Sequence, residues 1–340
     1  MTGDGAARDA DFGRLDRPPP RESYIELPES FGRRFAIFVD TEEEFDWAQA
    51  PSRDQHGTSA AESLPKAHRH LFEAGVKPVY LVDWPIATDV RCVATLREYL
   101  ERGECAVGAH LHPWGNPPFD EDLTRPNSFA GNLPEAIEGA KLRRLTETIE
   151  NGFGRHPKIY RAGRYGVGPN TARLLAEAGY EADSSVRPFH NYSDEGGPDF
   201  NGFEPRPYRV GPLVELPLTV AFTGSLRRFG TGLYDAAGRV PRGRGVLARA
   251  GLLNRIALTP EGITLREAVA AVERLLDDGI RLFSISFHSP TVEPGHTPYV
   301  RDHADLDLFY RWWDGMFDMF ARHGVESASL DEILEATRAR

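Results

Sequence analysis

Cysteine is almost absent from this chain. Cys92 and Cys105 are the only two in 340 residues, too few for a disulfide framework, and nothing about them suggests a metal pair. Long apolar runs are missing as well: no stretch approaches the roughly 18 consecutive apolar residues of a membrane span. The opening Met1-Thr-Gly-Asp-Gly-Ala-Ala-Arg8 lacks a basic segment followed by an apolar one, so no signal peptide is expected and the expected location is cytoplasmic. Positive charge is in deficit, with 40 Lys and Arg against 51 Asp and Glu and a net charge of −11. That balance, without a basic patch, argues against nucleic acid and anionic membrane surfaces as partners. No Gly-x-Gly-x-x-Gly follows the first strand and no phosphate-cradling lysine loop occurs, which argues against a nucleotide-binding fold.

What is present centres on Phe35-Ala-Ile-Phe-Val39, an apolar run that leads straight into Asp40, Glu42, Glu43, Glu44 and Asp46. The run reads as a strand buried on both faces. Carboxylates this crowded are tolerable when solvated, when paired with Arg or His, or when gathered around a cation. Downstream the pattern alternates. Helices are expected over about 60–74, 87–101, 133–152, 170–178, 265–278 and 305–322, with a further helix at the end. Strands are expected at 78–82, 106–110, 158–160, near 180–185, at 282–287 and near 326. Residues 1–33 read as an amino-terminal arm, partly disordered, and 34–340 as a single domain. An insertion at about 187–258 contains one strand-like piece from Leu213 to Val220. Such alternation implies an α/β fold with a mainly parallel sheet, closed or nearly closed into a barrel.

In barrels of this kind the site lies at the carboxyl ends of the strands. Those ends carry Asp40 and Glu42, Asp83, His110 and His112, Arg161, Asp183 and His288. A carboxylate with two imidazoles (Glu42, His110, His112) is a natural three-ligand set for a divalent metal that keeps an open position. The two imidazoles are expected on opposite faces of a regular strand, converging only through a turn at Leu111 made credible by Pro113. Asp40 is the candidate base, Arg161 the cation that holds it ionised, and His288 the candidate acid. Asp183 either tunes that histidine or caps the following turn. Trp47, Trp84, Trp114 and Tyr165 are candidates for a sugar-stacking wall, with core packing as the alternative for each.

Taken together, Val39-Asp40-Thr-Glu42, Gly108-Ala-His110-Leu-His112-Pro-Trp114, Arg161-Ala-Gly-Arg-Tyr165-Gly and Phe287-His288-Ser-Pro resemble the polysaccharide deacetylase family, the NodB-homology carbohydrate esterases. The wording is most similar to a divergent WalW-like branch. The resemblance spans about residues 35–290 and implies a distorted (β/α)7 barrel that removes acetyl groups from N- or O-acetylated sugars. It also implies a divalent metal, Zn in the first place, with Co or Ni as the others. By that resemblance Asp40 matches the catalytic base and His110 the first metal histidine. Thr41 stands where the family has a metal-binding Asp, so Glu42 would replace it; Trp114 stands where the second histidine falls, so His112 would replace that. Arg161, Asp183 and His288 match the remaining motifs, and the Tyr165 backbone N–H the oxyanion donor.

The expected function is a metal-dependent hydrolase that deacetylates an N-acetylated sugar or glycan precursor. The partner is then a carbohydrate. Two alternatives stand beside it: a metal-free C–N hydrolase of the same fold acting on a non-sugar amide, and an inert carbohydrate-binding protein.

Overall fold

The computed structural model describes residues 12–45, 49–54 and 56–338. Its centre is β1 (Arg33–Thr41), whose residues from Phe35 onward are all buried, as expected for a strand covered on both faces. The other strands are β2 (Val79–Val82), β3 (Ala106–Leu111), β4 (Ile159–Ala162), β5 (Ala182–Asp183), β6 (Tyr208–Val210), β7 (Leu213–Glu215), β8 (Val220–Thr223), β9 (Asn254–Ala257), β10 (Leu282–His288) and β11 (Val325–Ser327). The main sheet runs β10-β1-β2-β3-β4-β5-β7-β6, and β8 pairs with β9 separately. From β10 to β7 every neighbour is parallel; β6 returns antiparallel on β7. One edge of β1 is taken by β10, while β11 and β2 pair with its first and last residues.

The sheet curls without closing through strands. Irregular chain bridges the gap: Leu218 N–H donates to Val186 O at 3.0 Å, Thr219 N–H to Ser284 O at 3.0 Å, and Ser284 N–H to the Thr219 hydroxyl at 2.8 Å. A nearly closed, distorted α/β barrel results, as the alternation of elements implies.

Two apolar layers follow from the period-two alternation of strand side chains. Ala36, Phe38, Val79, Leu81, Ile159, Ala182 and Leu282 fill the interior, joined by Ile333 and Leu334 of the helix Leu330–Arg338 beneath the strand starts. The intervening residues, among them Ile37, Val39, Tyr80, Val107, Ala109 and Tyr160, pack outward against the helices. The helix Glu135–Phe153 contributes Leu142, Leu145 and Ile149 to that layer, and the helix His303–Arg322 contributes Phe309, Trp313 and Met316. Interior apolar residues stop near the carboxyl ends of the strands, and polar side chains take over there.

The interval 187–258 is more regular than an insertion with one strand. It supplies β6 and β7 to the main sheet, the β8–β9 pair, and the helices Gly230–Gly238 and Gly243–Arg249. Of the amino-terminal arm, the described part packs against the barrel: Leu15 is fully buried, and Ile25 N–H donates to Pro207 O at 2.9 Å. No helix among the described residues is long and apolar enough to cross a membrane.

Candidate active site

β1 and β10 end side by side, with Asp40 in register with His288; β3 and β4 do the same, with His110 in register with Arg161. Parallel pairing thus delivers four reactive side chains to one rim. Asp40 and Glu42 lie two residues apart and share a face, while Thr41 points away with its hydroxyl on Val39 O at 2.9 Å.

His110 and His112 share a face for the same reason. The expectation of opposite faces is therefore wrong: residues i and i+2 of a strand point the same way, β3 is regular through Leu111, and the two rings stand 4.6 Å apart without a bend. Room for His112 depends on Gly163, where a Cβ would stand 2.2 Å from His112 Cδ2.

Each imidazole is oriented by its other nitrogen. His110 Nδ1–H donates to Arg161 O at 3.1 Å, and His112 Nδ1–H donates to Glu43 Oε2 at 2.8 Å. In the neutral rings both Nε2 atoms then carry lone pairs, and both lie 3.4 Å from Glu42 Oε2. Glu42 is buried, its Oε1 has no hydrogen-bond partner, and burial pushes its carboxyl above the ordinary range. Three acceptor atoms facing one another without a proton between them is the arrangement a cation resolves. Two ligands of a tetrahedral ion, each about 2.0–2.1 Å from it, stand roughly 3.3–3.4 Å apart, which matches the observed 3.4 Å separations. Glu42, His110 and His112 fit a divalent metal.

Glu43, on the opposite face from Glu42, was not singled out by its position in the acidic run. Its second oxygen accepts Trp114 Nε1–H at 2.8 Å, and its backbone N–H donates to Asp83 Oδ2 at 2.7 Å. Burial disfavours charge on both acids, but His112 and the surrounding donors hold Glu43 well below the usual carboxylate range, and Asp83 is pushed well above it by burial and by Glu43. Asp83 also caps the helix Trp84–Thr88 by accepting Ile86 N–H. Glu43, Asp83 and His112 form a second cluster of ligand-type atoms, yet here the His112 nitrogen is occupied by Glu43. Glu43 is a brace for a ligand.

Across the rim, Arg161 Nη1 donates to Asp40 Oδ1 at 2.5 Å. Its Nε and Nη2 donate to Ser184 O and Ser184 Oγ at 2.8 and 2.9 Å. Burial opposes ionisation of Asp40, but the Arg161 guanidinium above all outweighs it and keeps its carboxyl below the ordinary value. His288 Nε2 stands 3.8 Å from Asp40 Oδ2, and its Nδ1 lies 2.7 Å from Glu261 Oε2. Burial disfavours the imidazolium; Glu261, Glu42 and Asp40 prevail and raise His288 to about 10. The rim therefore sets a carboxylate biased toward ionisation beside a histidine biased toward protonation.

Asp183 does not meet His288. Its oxygens accept Ser185 Oγ–H at 2.7 Å and Ser185 N–H at 2.9 Å, and Ser185 Oγ accepts Ala162 N–H. That chain of bonds fixes the segment after Arg161, while Glu261 holds the histidine. The sequence signal for Glu261 is an acid two residues beyond Thr259, after the strand-like Arg255-Ile-Ala-Leu258.

Asp40, Glu42, His110, His112, Trp114, Tyr165 and His288 line one cavity of about 500 Å³. Trp114 stacks on His112 with centroids 4.3 Å apart. Arg164 and Tyr165 have φ of 54° and 59°, a left-handed pair that costs energy for non-glycine residues and is found at functional turns. Trp84 lies elsewhere: it opens its helix under the Arg144 guanidinium, 5.5 Å from the ring centre, and is not a lining residue. Trp47 falls outside the described residues.

No model of a known family matches the chain, and no curated protein matches it in sequence. Solved structures do. A Mycobacterium smegmatis protein described as a polysaccharide deacetylase superposes with a TM-score of 0.53 at 19% identity, covering 95% of each chain. The chain has the polysaccharide deacetylase fold. Puue allantoinase shares that fold, with a TM-score of 0.52 at 14% identity and 97% of each chain covered. Likeness at this level reaches the polysaccharide deacetylase scaffold and leaves the chemistry to the rim residues.

Proposed function

We propose that this protein is a metal-dependent hydrolase that removes the acetyl group from an N-acetylated sugar. The observation that carries the reading is the set of Glu42 Oε2, His110 Nε2 and His112 Nε2, converging within one cavity beside the Asp40–Arg161 pair and His288. A bound divalent ion, Zn in the first place, would supply Lewis-acid activation of water and of the amide carbonyl.

The chain's own residues do the rest. Asp40, ionised and fixed by Arg161, accepts the proton of the attacking water. The Tyr165 N–H at the strained turn serves the developing oxyanion. His288, protonated and oriented by Glu261, gives its proton to the departing amine. Trp114, only 2% exposed, packs on His112 as a support for that ring, which leaves Tyr165 as the aromatic wall for a sugar. Ser184 and Asp183, through Ser185, keep Arg161 and the segment after it in place.

The test is metal content together with turnover. Protein purified without chelator should carry about one divalent ion per chain and release acetate from N-acetylated hexosamine oligomers. Glu42→Ala and His110→Ala should each lose metal and activity together, and unchanged metal content in both would sink the ligand assignment. A second reading, a metal-free hydrolase of a non-sugar amide, is favoured only by the shared fold of the allantoinase. Amide turnover by metal-free protein would select it. Sugar binding without turnover of either substrate would select an inert binding protein.

A further inference from the structure

Beside the main cavity lies a smaller one of about 160 Å³. Tyr165 and His288 line both, so the two adjoin at the candidate acid. The small cavity is further lined by Arg187, Thr259, Glu261 and Tyr299. Its volume is about five times the ~30 Å³ that a water occupies in the liquid, room for a charged substituent but not for a glycan chain.

Arg187 is the unusual member. Its guanidinium sits 5.2 Å from the centre of the Tyr165 ring, and Nη1 donates to Tyr192 OH over 3.3 Å. Its Nε is buried without a partner. Among the described residues it forms no ion pair with a carboxylate. Glu261 shares the cavity, but both its oxygens are taken: Oε1 by His288 N–H and the Thr291 hydroxyl, Oε2 by His288 Nδ1.

Nearby Arg255 spends a donor on Phe189 O and lies over the Tyr234 ring, also without an acid. The field is positive enough that burial and the charges of Arg187 and Arg255 push His190 down to about 2. Arg187 is half-buried, and its Nε, shut off from water and unpaired, leaves the guanidinium with donor capacity that an anion in the cavity would complete. A forked donor set of this kind matches carboxylate and phosphate oxygens.

We propose that Arg187 and this small cavity form a subsite for an anionic substituent of the substrate, a carboxylate or a phosphate, carried close to the acyl group that is cleaved. The proposal rests on the deacetylase reading for the word substrate; the anion site itself does not. It places the preferred substrates among acidic acylated sugars and sets neutral ones at a disadvantage.

The test begins with small anions on chelator-treated protein, so that the metal position takes no part. Inorganic phosphate and acetate, titrated calorimetrically, should bind the wild type, and Arg187→Met should weaken phosphate binding at least tenfold with an unchanged circular dichroism spectrum. Arg187→Lys, which keeps the charge and loses the fork, should fall between the two and carries the test if the Met variant does not fold. Glu42→Ala should bind phosphate as the wild type does. Equal phosphate binding in wild type and both Arg187 variants, or its loss in Glu42→Ala, overturns the subsite.

A second arm compares an N-acetylated hexosamine with the same sugar bearing a lactyl carboxylate and with its phosphate ester. The acidic forms should bind the wild type at least tenfold more tightly, with the preferred one naming the source of the anion, and Arg187→Met should bring the ratio near one. Phosphate binding without any sugar binding would leave the anion site standing and remove the deacetylase reading.

Discussion

His112 Nδ1 and Glu43 Oε2 are 2.8 Å apart, a buried hydrogen bond that turns the other ring nitrogen toward Glu42. Carboxylate bracing of this kind fixes the tautomer and basicity of a metal-binding imidazole, and its removal typically costs about 10–100-fold in metal affinity. Glu43→Gln should retain the fold and bind zinc about that much more weakly, measured by competition with a chromogenic chelator. Affinity equal to wild type would show that Glu43 serves packing alone.

Glu261 should set the alkaline limit of activity. His288 acts as an acid only while protonated, and Glu261 is the largest of the acids that raise it to about 10 against the effect of burial. With Glu261→Gln that support is lost, so the alkaline limb of the kcat–pH profile should move to lower pH. A residue that merely filled space would reduce kcat at every pH and leave the limb where it was. Glu261→Asp, which restores a carboxylate, should recover part of the shift.

Most of the rim was legible because strand ends and period-two alternation are local properties. The run Phe35–Val39 announced a buried strand, and the acids and histidines beyond β1, β3 and β10 followed from where those strands stop. The facing of His110 and His112 was misread at the level of that alternation, not through any tertiary effect. Glu261 and Arg187 were less accessible. Both lie in or beside the Gly- and Pro-rich interval 187–258, whose path is set by hydrogen bonds to distant segments, such as Thr219 to Ser284. Trp84 shows the converse: sequence placed it at a strand end, but the turn capped by Asp83 carries its ring to Arg144.

Away from the rim, Glu138 makes stability depend on pH. Its side chain is buried on the helix Glu135–Phe153, accepts the Thr171 hydroxyl at 2.5 Å, and leaves Oε2 without a partner. Burial raises its carboxyl from an ordinary 4.5 to about 7. A raised acid favours folding fully below its unfolded value and loses that contribution as pH rises through its folded one. The difference amounts to about 3 kcal/mol. Glu138→Gln, which mimics the neutral form, should therefore match the wild type near pH 4.5 and become the more stable of the two by pH 8. Parallel urea-denaturation profiles of the two proteins from pH 4.5 to 8 would refute this assignment.

Asp40 and Arg161 are exposed by only 2% and 1%, so each charge leans on the other more than on solvent. Removing one partner of such a pair typically costs about 3–5 kcal/mol, because the other is left buried and unpaired. Arg161→Met should therefore destabilise by about that amount, with Asp40 driven toward its neutral form. Asp40→Asn keeps an acceptor for the guanidinium and leaves the Ser184 bonds intact, so it should be milder. In the double variant neither charge remains opposed, and its destabilisation should fall short of the sum of the singles by roughly 0.5–3 kcal/mol. Catalysis separates from stability at the same residue: Asp40→Asn should lower kcat by about 10²–10⁴ while zinc content stays at the wild-type level. A fall in zinc content in Asp40→Asn would instead make Asp40 a ligand and move the base elsewhere on the rim.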